Sequence, residues 1–197
     1  LLNHATNHIH HRWLSLKKIK MSIYKKIVEI GSKYIGKDKL LKYGFNLSPM
    51  YRRSTARIIR VSKDLLNVQI KLPISYKNKN YVNSIFGGSL FSSVDPIPMV
   101  QLINIIGNDY VVWDKSAEIY FRKPAKENLF AEFIFTNIEI DEIKNRIRTE
   151  NEIEIVKITS LTNKEKTIVY CEVKKTIYIA KKSFYKNKKK KTTANNV

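Results

Sequence analysis

The stretch from residue 80 to residue 106 reads NYVNSIFGGSLFSSVDPIPMVQLINII. Its apolar part, Ser89–Ile106, predicts a buried helix that is interrupted at Asp95-Pro96. Two glycines, Gly87 and Gly88, come directly before this helix, at a point where a backbone without side chains can approach another group closely. The stretch therefore predicts a central helix that the rest of the domain must cover.

Strand patterns lie on both sides of the central helix. Alternating apolar and polar residues predict a hairpin before it, with strands at Thr55–Ser62 and Leu66–Leu72. Four more strands are predicted after it, at Tyr110–Arg122, Leu129–Ile138, Glu152–Ser160 and Thr167–Ile179. A short charged helix or excursion is predicted between the second and third of these, at Ile140–Arg148. A curved antiparallel sheet buries one apolar helix with few elements. We therefore expect an α+β domain in which five or six antiparallel strands wrap around the helix.

The net charge of +20 is concentrated at the two ends of the chain. Residues 1–20 carry four cationic side chains and residues 181–197 carry seven lysines, and neither segment contains an acid. We expect a disordered or non-native extension over residues 1–20, a single domain over residues 21–180 and a disordered tail over residues 181–197. The domain would begin with an amphipathic helix at Ser22–Tyr43 that Gly44 ends. This distribution argues against a dedicated groove for nucleic acid.

The positions of histidine and cysteine limit the chemistry. All four histidines lie in the first eleven residues, at His4, His8, His10 and His11. A Ser-His-Asp triad, a Cys-His dyad and a His-ligated zinc are therefore excluded from the body of the chain, and we expect no metal or cofactor. The only cysteine, Cys171, excludes an internal disulfide and suits a reducing compartment, so we expect a cytoplasmic protein. No apolar run of about 18 residues is seen, so no transmembrane segment is expected.

Gly88 and Asp95 are the residues of the central stretch that can carry chemistry. Free N–H groups at a helix N-terminus can hold a developing oxyanion, so Gly88 could polarise a thioester carbonyl. Asp95 lies seven residues further and could activate water as a general base. Asp95 before Pro96 also has the form of a helix N-cap. Ser92 could bond the attacking water or could cap the break in the helix. The residues alone leave both alternatives open.

The same segment resembles the hotdog thioesterases of the phenylacetate-pathway type. Their pattern is Asn, two residues, Gly, two residues, His-Gly-Gly, and a catalytic Asp eight residues after the first glycine of the pair. The matching positions are Asn80, Gly87, Gly88 and Asp95. Asn83 stands in place of the single glycine, and Phe86 stands in place of the histidine.

A fuller resemblance, from about Pro49 to Ala180, is to the hotdog branch known as the domain-of-unknown-function family numbered 4442. It is carried by the segments Asn80–Val82, Phe86–Leu90, Asp95-Pro96, Tyr110–Lys115 and Phe121–Pro124. The resemblance implies a hotdog fold and a hydrolase-like protein for acyl-CoA or acyl-carrier-protein thioesters. Asp95 would be the base and Gly88 the oxyanion donor, and the substrate would be bound by Asn80, Asn83, Phe86, Gly87 and Ser92. A homodimer or homotetramer with the thioester channel at the interface is also implied.

The alternative to an enzyme is a non-catalytic module that binds acyl-CoA or lipid, with Asp95 acting as a cap. Two further patterns are open to more than one interpretation. Asp114, Ser116 and Glu118 are predicted to share one strand face. Asp114 could be a second acid, but an ion pair with Lys115 or an arginine is the favoured interpretation. A basic-aromatic loop contains Tyr76, Lys77, Lys79 and Tyr81, and such a loop can stack a base, including the adenine of coenzyme A, or can simply be solvated.

Overall fold

The computed structural model describes residues 35–194. The helices are α1 Lys37–Leu47, α2 Pro49–Arg53, α3 Gly87–Val94, α4 Ile97–Ile106, α5 Asn137–Glu150 and α6 Lys182–Ala194. The strands are β1 Arg57–Val61, β2 Asn67–Leu72, β3 Tyr110–Phe121, β4 Leu129–Ile134, β5 Glu152–Thr162 and β6 Val169–Lys181. The expected extension at residues 1–20 and the first part of the expected helix from Ser22 lie outside the described residues.

The six strands form one antiparallel sheet in the order β1-β2-β4-β5-β6-β3. The expected α+β architecture, with an antiparallel sheet around a central helix, is confirmed. The inner face of β6 is apolar at Cys171, Val173, Ile177 and Ile179, all of which are fully buried. Burial also raises the pKa of the Cys171 thiol to about 11, so this thiol stays protonated and acts as a core residue. The long strands β6 and β3 thus contact the central helix.

The central helix consists of α3 and α4, and both Asp95 and Pro96 keep helical backbone angles between them. Its buried side chains include Leu90, Val94, Ile97 and Leu102, which pack in the core. Taken as one segment, Gly87–Ile106 is long and apolar enough to cross a membrane, with a mean hydropathy of 1.3, which the sequence pattern did not lead us to expect. Half of that segment is buried inside the protein, and core helices of soluble proteins meet the same criteria.

Three element boundaries differ from the expectation, and each difference has a local cause. Helix α1 continues past Gly44 and ends at Leu47. Ser48 has extended backbone angles, because the helical region is unfavourable for a residue that precedes a proline. Strand β4 ends at Ile134 because Thr136 caps α5, accepting a hydrogen bond from Glu139 N–H at 3.1 Å. The short charged segment is a helix of 14 residues, α5, with one buried apolar face.

The lysine-rich segment at the end of the chain forms the helix α6, Lys182–Ala194, and its expected disorder stays a prediction. The Tyr185 ring packs edge-on against Trp113 at 5.0 Å, and Trp113 stacks on Tyr178 at 4.9 Å. Lys188 Nζ lies 2.8 Å from both carboxylate oxygens of Glu152. One aromatic ring and one ion pair thus connect α6 to strands β3 and β5.

A β-bulge in β3 separates side chains that were expected to share a face. Asp114 pairs with Ile177, whereas Ser116 pairs with Thr176 on the opposite face of β6. The extra residue between them reverses the alternation, so Asp114 faces the core side while Ser116 and Glu118 face outward. The predicted common face for these three residues is therefore wrong.

Candidate functional site

The N-terminal end of α3 is formed by Gly87 and Gly88 at the protein surface. The first helical hydrogen bonds are donated by the N–H groups of Ser89 and Leu90 to Phe86 O, at 2.9 and 3.1 Å. The amides of the two glycines precede these donors, and the first N–H groups of a helix have no partner within the helix. They are the groups at this end that can bind an anion or a carbonyl oxygen.

Two phenylalanine rings lie against the two glycines. A Cβ atom on Gly87 would lie 2.9 Å from Phe121 Cζ, and a Cβ atom on Gly88 would lie 2.2 Å from Phe86 Cε1. Both rings are more than half exposed. Phe86 stands where the phenylacetate-pathway thioesterase pattern has histidine. It places an apolar ring against Gly88, whereas histidine would offer a polar nitrogen there.

Asn80 and Asn83 shape the turn that leads into α3. Asn80 Oδ1 accepts hydrogen bonds from the N–H groups of Val82 and Ser84, both at 3.1 Å, and its Nδ2 donates to Ser84 Oγ at 3.0 Å. Asn83 has a φ of 59°, in the left-handed region that asparagine tolerates better than most residues. Glycine also adopts this backbone conformation readily, so asparagine in place of glycine is compatible with the turn.

A cavity of about 440 Å³ opens beside Gly87. Its lining residues are Asn80, Ser84, Ile85, Gly87, Leu90, Phe121, Arg122, Lys123, Pro124 and Ala125. The mixture of apolar walls with a few polar and cationic groups, and the volume, suit a small-molecule site. Asp95 is not part of this lining.

Asp95 lies at the other end of α3, where it is bound by a buried lysine of β6. Lys175 is only 1% exposed, and its Nζ donates to Asp95 Oδ1 at 2.7 Å and to Asp95 O at 2.5 Å. The same Nζ lies 2.6 Å from Asp114 Oδ2. One buried ammonium group therefore joins α3, β3 and β6 through two carboxylates.

The surroundings of Asp95 correct two sequence-based interpretations. The residue has helical backbone angles, and α4 has no side-chain cap, so Asp95 does not act as an N-cap. Its side chain is 42% exposed and ion-paired. Asp114 pairs with Lys175, while its expected partner Lys115 pairs with Glu154. Asp95 thus has a carboxylate that is both held in place and accessible.

Asp114 is the carboxyl group of this cluster that burial affects most. Burial raises its pKa above the ordinary aspartate value, the hydrogen bond and charge of Lys175 lower it, and the neighbouring charge of Asp95 raises it further. Its Oδ1 atom is buried and accepts no hydrogen bond from the described residues. A raised pKa and an unpartnered oxygen both favour the neutral form of Asp114 relative to an exposed aspartate.

The two ends of α3 do not meet within one chain. Seven residues of helix separate Gly88 from Asp95, which corresponds to about 10 Å at 1.5 Å per residue. A water molecule attacks a carbonyl carbon from about 3 Å. Within one chain, the Asp95 carboxylate is therefore not adjacent to the Gly88 N–H. Ser92, between them, donates from its Oγ to Ser89 O at 3.5 Å, one turn back along α3.

Sequence reasoning missed Lys175 and Asn78. Lys175 interrupts the inward apolar alternation of β6, so a lysine at a core position was a signal that the sequence offered. Asn78 is buried, and its O atom accepts the Phe86 N–H at 2.7 Å directly before the glycine pair. Within residues 35–194, no group of three His, Cys, Asp or Glu side chains could hold a metal ion.

Comparisons with known proteins agree with this architecture. Among curated proteins, none matches the chain. A Pseudomonas aeruginosa protein described as a probable thioesterase is 19% identical with a TM-score of 0.64, covering 73% of this chain and 95% of that one. A Chlorobaculum tepidum protein of unknown function is 17% identical with a TM-score of 0.59, covering 73% and 93%. A thioesterase from Haemophilus influenzae is 10% identical with a TM-score of 0.50, covering 72% and 88%.

At these identities the likeness shows the fold, and the fold is the hotdog fold. The sequence match is more specific. Residues 37–179, well over half of the chain, match the family described as a domain of unknown function, DUF4442. The chain therefore belongs to the DUF4442 family of hotdog-fold proteins.

Proposed function

We propose that the protein hydrolyses an acyl thioester of coenzyme A or of an acyl carrier protein. The observation that carries the proposal is the accessible Asp95 carboxylate, which the buried Lys175 holds in a fixed position on the central helix. The names of two similar structures, a probable thioesterase and a thioesterase, support the same class of reaction. The cavity of about 440 Å³ beside Gly87 has a size suited to the substrate.

Gly88 and Asp95 would act on one thioester across two copies of the chain. Strand β3 has 12 residues and lies at the edge of the sheet, and an exposed edge of that length favours pairing. Phe121 at one end of β3 contacts Gly87, and Asp114 near its other end contacts Lys175. Antiparallel pairing of two β3 strands about a two-fold axis brings the Phe121 end of one copy opposite the Asp114 end of the other.

This arrangement supports a homodimer, or a homotetramer built from it, in which Asp95 of one copy meets Gly88 of the other. The Gly88 N–H would bind the thioester carbonyl oxygen and stabilise its negative charge as water attacks the carbon. Asp95 would take a proton from that water. The carbon–sulfur bond would then break, and the thiolate leaving group would take up the proton to give a free acid and a thiol.

The proposed supporting roles follow from the contacts of each residue. Lys175 would orient Asp95, and Asn80 and Asn83 would hold the turn that presents Gly87 and Gly88 to the substrate. Phe86 would form an apolar wall beside the acyl group. The single cysteine, Cys171, is buried and free, which suits a reducing compartment such as the cytoplasm.

The test is the rate of hydrolysis of a panel of acyl-CoA thioesters by the wild type and by Asp95→Asn. Loss of a general base lowers kcat by about 10²–10⁴-fold, with a smaller effect on KM. Asp141→Asn, an exposed aspartate on α5, is the matched control and should leave the rate unchanged. Retention of hydrolysis within about threefold in Asp95→Asn would contradict the mechanism.

A second function, non-catalytic binding of acyl-CoA or lipid, is favoured by one observation. The Phe86 ring lies against Gly88, where the resembled enzymes carry a histidine. In that case acyl-CoA should raise the thermal unfolding midpoint of the wild type and of Asp95→Asn equally, while no thioester in the panel is hydrolysed.

A further inference from the structure

A second cavity, of about 510 Å³, carries only positive charge. Its lining residues are Pro49, Arg52, Arg53, Thr55, Arg57, Pro73, Ser75, Tyr76 and Lys77. Four of these nine residues are cationic and none is acidic. Eight other cations of the described residues form ion pairs, whereas none of the nine ion pairs found there includes a cation of this cavity. We refer to it as the basic cavity.

Three arginines in the basic cavity suit a ligand that carries phosphate. A guanidinium group presents up to five N–H donors in a planar fork that matches phosphate oxygens, and Arg57 uses only one recorded bond, to Ala56 O at 2.8 Å. Arg52 and Arg53 end helix α2, and Arg57 begins β1, so the three side chains reach the cavity from a short, continuous segment. A phosphate monoester, with its charge between −1 and −2, is the matching partner.

Tyr76 adds an aromatic surface to this set of cations. Its side chain is 85% exposed, and Lys77 Nζ lies 5.7 Å from the centre of its ring. Exposed aromatic rings beside cationic groups form platforms on which nucleobases stack. The combination of phosphate-binding arginines with an exposed ring fits a phosphorylated nucleotide better than a simple anion.

The walls of the basic cavity are fixed to the core. Asn78 is buried, and its Nδ2 donates to Thr55 Oγ1 at 2.7 Å and to Pro73 O at 2.8 Å. On the opposite side, the buried Tyr51 of α2 donates its hydroxyl to Ser93 O of α3 at 3.0 Å. Thr55 itself has a φ of 68°, an unfavourable conformation for a β-branched residue that the Asn78 bond helps to hold. The backbone segments that carry the arginines and Lys77 are therefore fixed to the core.

The basic cavity is joined to the glycine end of α3 through one residue. Asn78, which links Thr55 and Pro73, also accepts the N–H of Phe86 at 2.7 Å. Phe86 directly precedes Gly87, and Gly87 lines the cavity of about 440 Å³. The Asn78–Phe86 hydrogen bond therefore ties the loop that lines the basic cavity to the residue that directly precedes the glycine pair.

We propose that the basic cavity binds the phosphorylated adenosine end of coenzyme A, so that the thioester substrate is an acyl-CoA and not an acyl carrier protein. This inference rests on the proposed function for the identity of the substrate. The arginines contact the nucleotide phosphates, Tyr76 stacks on the adenine, and the pantetheine arm reaches the cavity beside Gly87.

The test is calorimetric titration of the full chain with free coenzyme A, dephospho-coenzyme A and pantetheine, which requires no catalysis. Arg53→Gln and Arg57→Gln should each weaken coenzyme A binding by about tenfold and leave pantetheine binding unchanged. Tyr76→Ala should weaken binding of both nucleotide ligands by about tenfold. Arg60→Gln, on the same strand as Arg57 but outside the cavity, is the matched control and should bind as the wild type does.

The outcomes separate this inference from the proposed function. Arginine-dependent binding of coenzyme A without hydrolysis of any thioester supports the inference and contradicts the enzyme proposal. Hydrolysis of acyl-CoA with an unchanged KM in Arg53→Gln and Arg57→Gln supports the enzyme and overturns the inference. Equal affinity for coenzyme A and inorganic phosphate, or hydrolysis restricted to an acidic acyl carrier protein, also overturns it.

Discussion

The two ends of helix α3 are only a few residues apart in sequence, and they are built in opposite ways. The glycine end carries backbone amides without helical partners, between two exposed phenylalanine rings and beside an open cavity. The Asp95 end is held by the buried Lys175, which also binds Asp114. One end leaves room for a ligand, whereas the other fixes a charge. The comparison shows that a single short helix can carry amides without helical partners at one end and a carboxylate fixed by a buried lysine at the other.

The two ends of α3 differ energetically because only the Asp95 end contacts a buried charged group, Lys175. A buried ammonium group is tolerated only when carboxylates and hydrogen bonds compensate for its lost hydration. Lys175 therefore needs both Asp95 and Asp114, and the Asp95 end has little freedom to change. At the glycine end the neighbouring groups are exposed side chains that can move, so a change there affects binding more than folding.

The largest expected effect is on stability at the Asp95 end. Lys175→Met leaves two neighbouring, partly exposed carboxylates without their common partner, and it should lower the free energy of unfolding by about 2–3 kcal/mol. The measurement is denaturant unfolding at neutral pH. Lys115→Met is the matched control, because its exposed pair with Glu154 contributes less than about 1 kcal/mol. Equal losses in the two variants would show that the buried cluster is no more important than a surface ion pair.

A smaller effect is expected at the glycine end, and on ligand binding more than on folding. Gly88→Ala places a Cβ against the far end of the Phe86 ring, which is exposed and can swing away. Alanine also favours a helix over glycine, so the free energy of unfolding should change by less than about 1 kcal/mol. Binding of acyl-CoA should weaken by about tenfold, because the displaced ring and the new methyl group crowd the amide.

Two controls make the Gly88 result informative. Gly44→Ala, in a helix with nothing near the added Cβ, should leave binding unchanged. The double variant Gly88→Ala with Phe86→Leu removes the crowding ring, and it should recover part of the lost affinity. A loss of more than about 3 kcal/mol in stability for Gly88→Ala would show that the two ends of α3 do not differ as described.

The smallest expected effect is a pH dependence that belongs to the Asp95 end. The pKa of Asp114 is raised in the folded protein above its ordinary value of 3.8, so the folded state binds this proton more tightly than the unfolded state. Stability from this group is therefore present below pH 3.8, and it is lost as the pH rises through the folded pKa. Asp114→Asn should remove this contribution to the pH profile of the unfolding midpoint, while Asp109→Asn, an exposed aspartate, should preserve it. An unchanged profile in Asp114→Asn would contradict the assignment.

The sequence by itself determined the elements with strong local patterns. The central helix and the strands on both sides of it follow from apolar periodicity, which is a local property of the chain. The antiparallel sheet was expected because it buries one apolar helix with few elements. The family resemblance identified Gly87, Gly88 and Asp95 as candidate site residues from sequence, because these residues lie within one short segment.

Only the tertiary structure decided which distant groups meet. Lys175 contacts Asp95 from 80 residues away in the chain, and one extra residue in β3 decides that Asp114, and not Ser116, faces that cluster. The basic cavity likewise combines arginines before and within β1 with the loop that follows β2. Tyr185 connects α6 to rings on β3 and β6. Such contacts depend on register and strand order, and neither is recorded in the local pattern of any single segment.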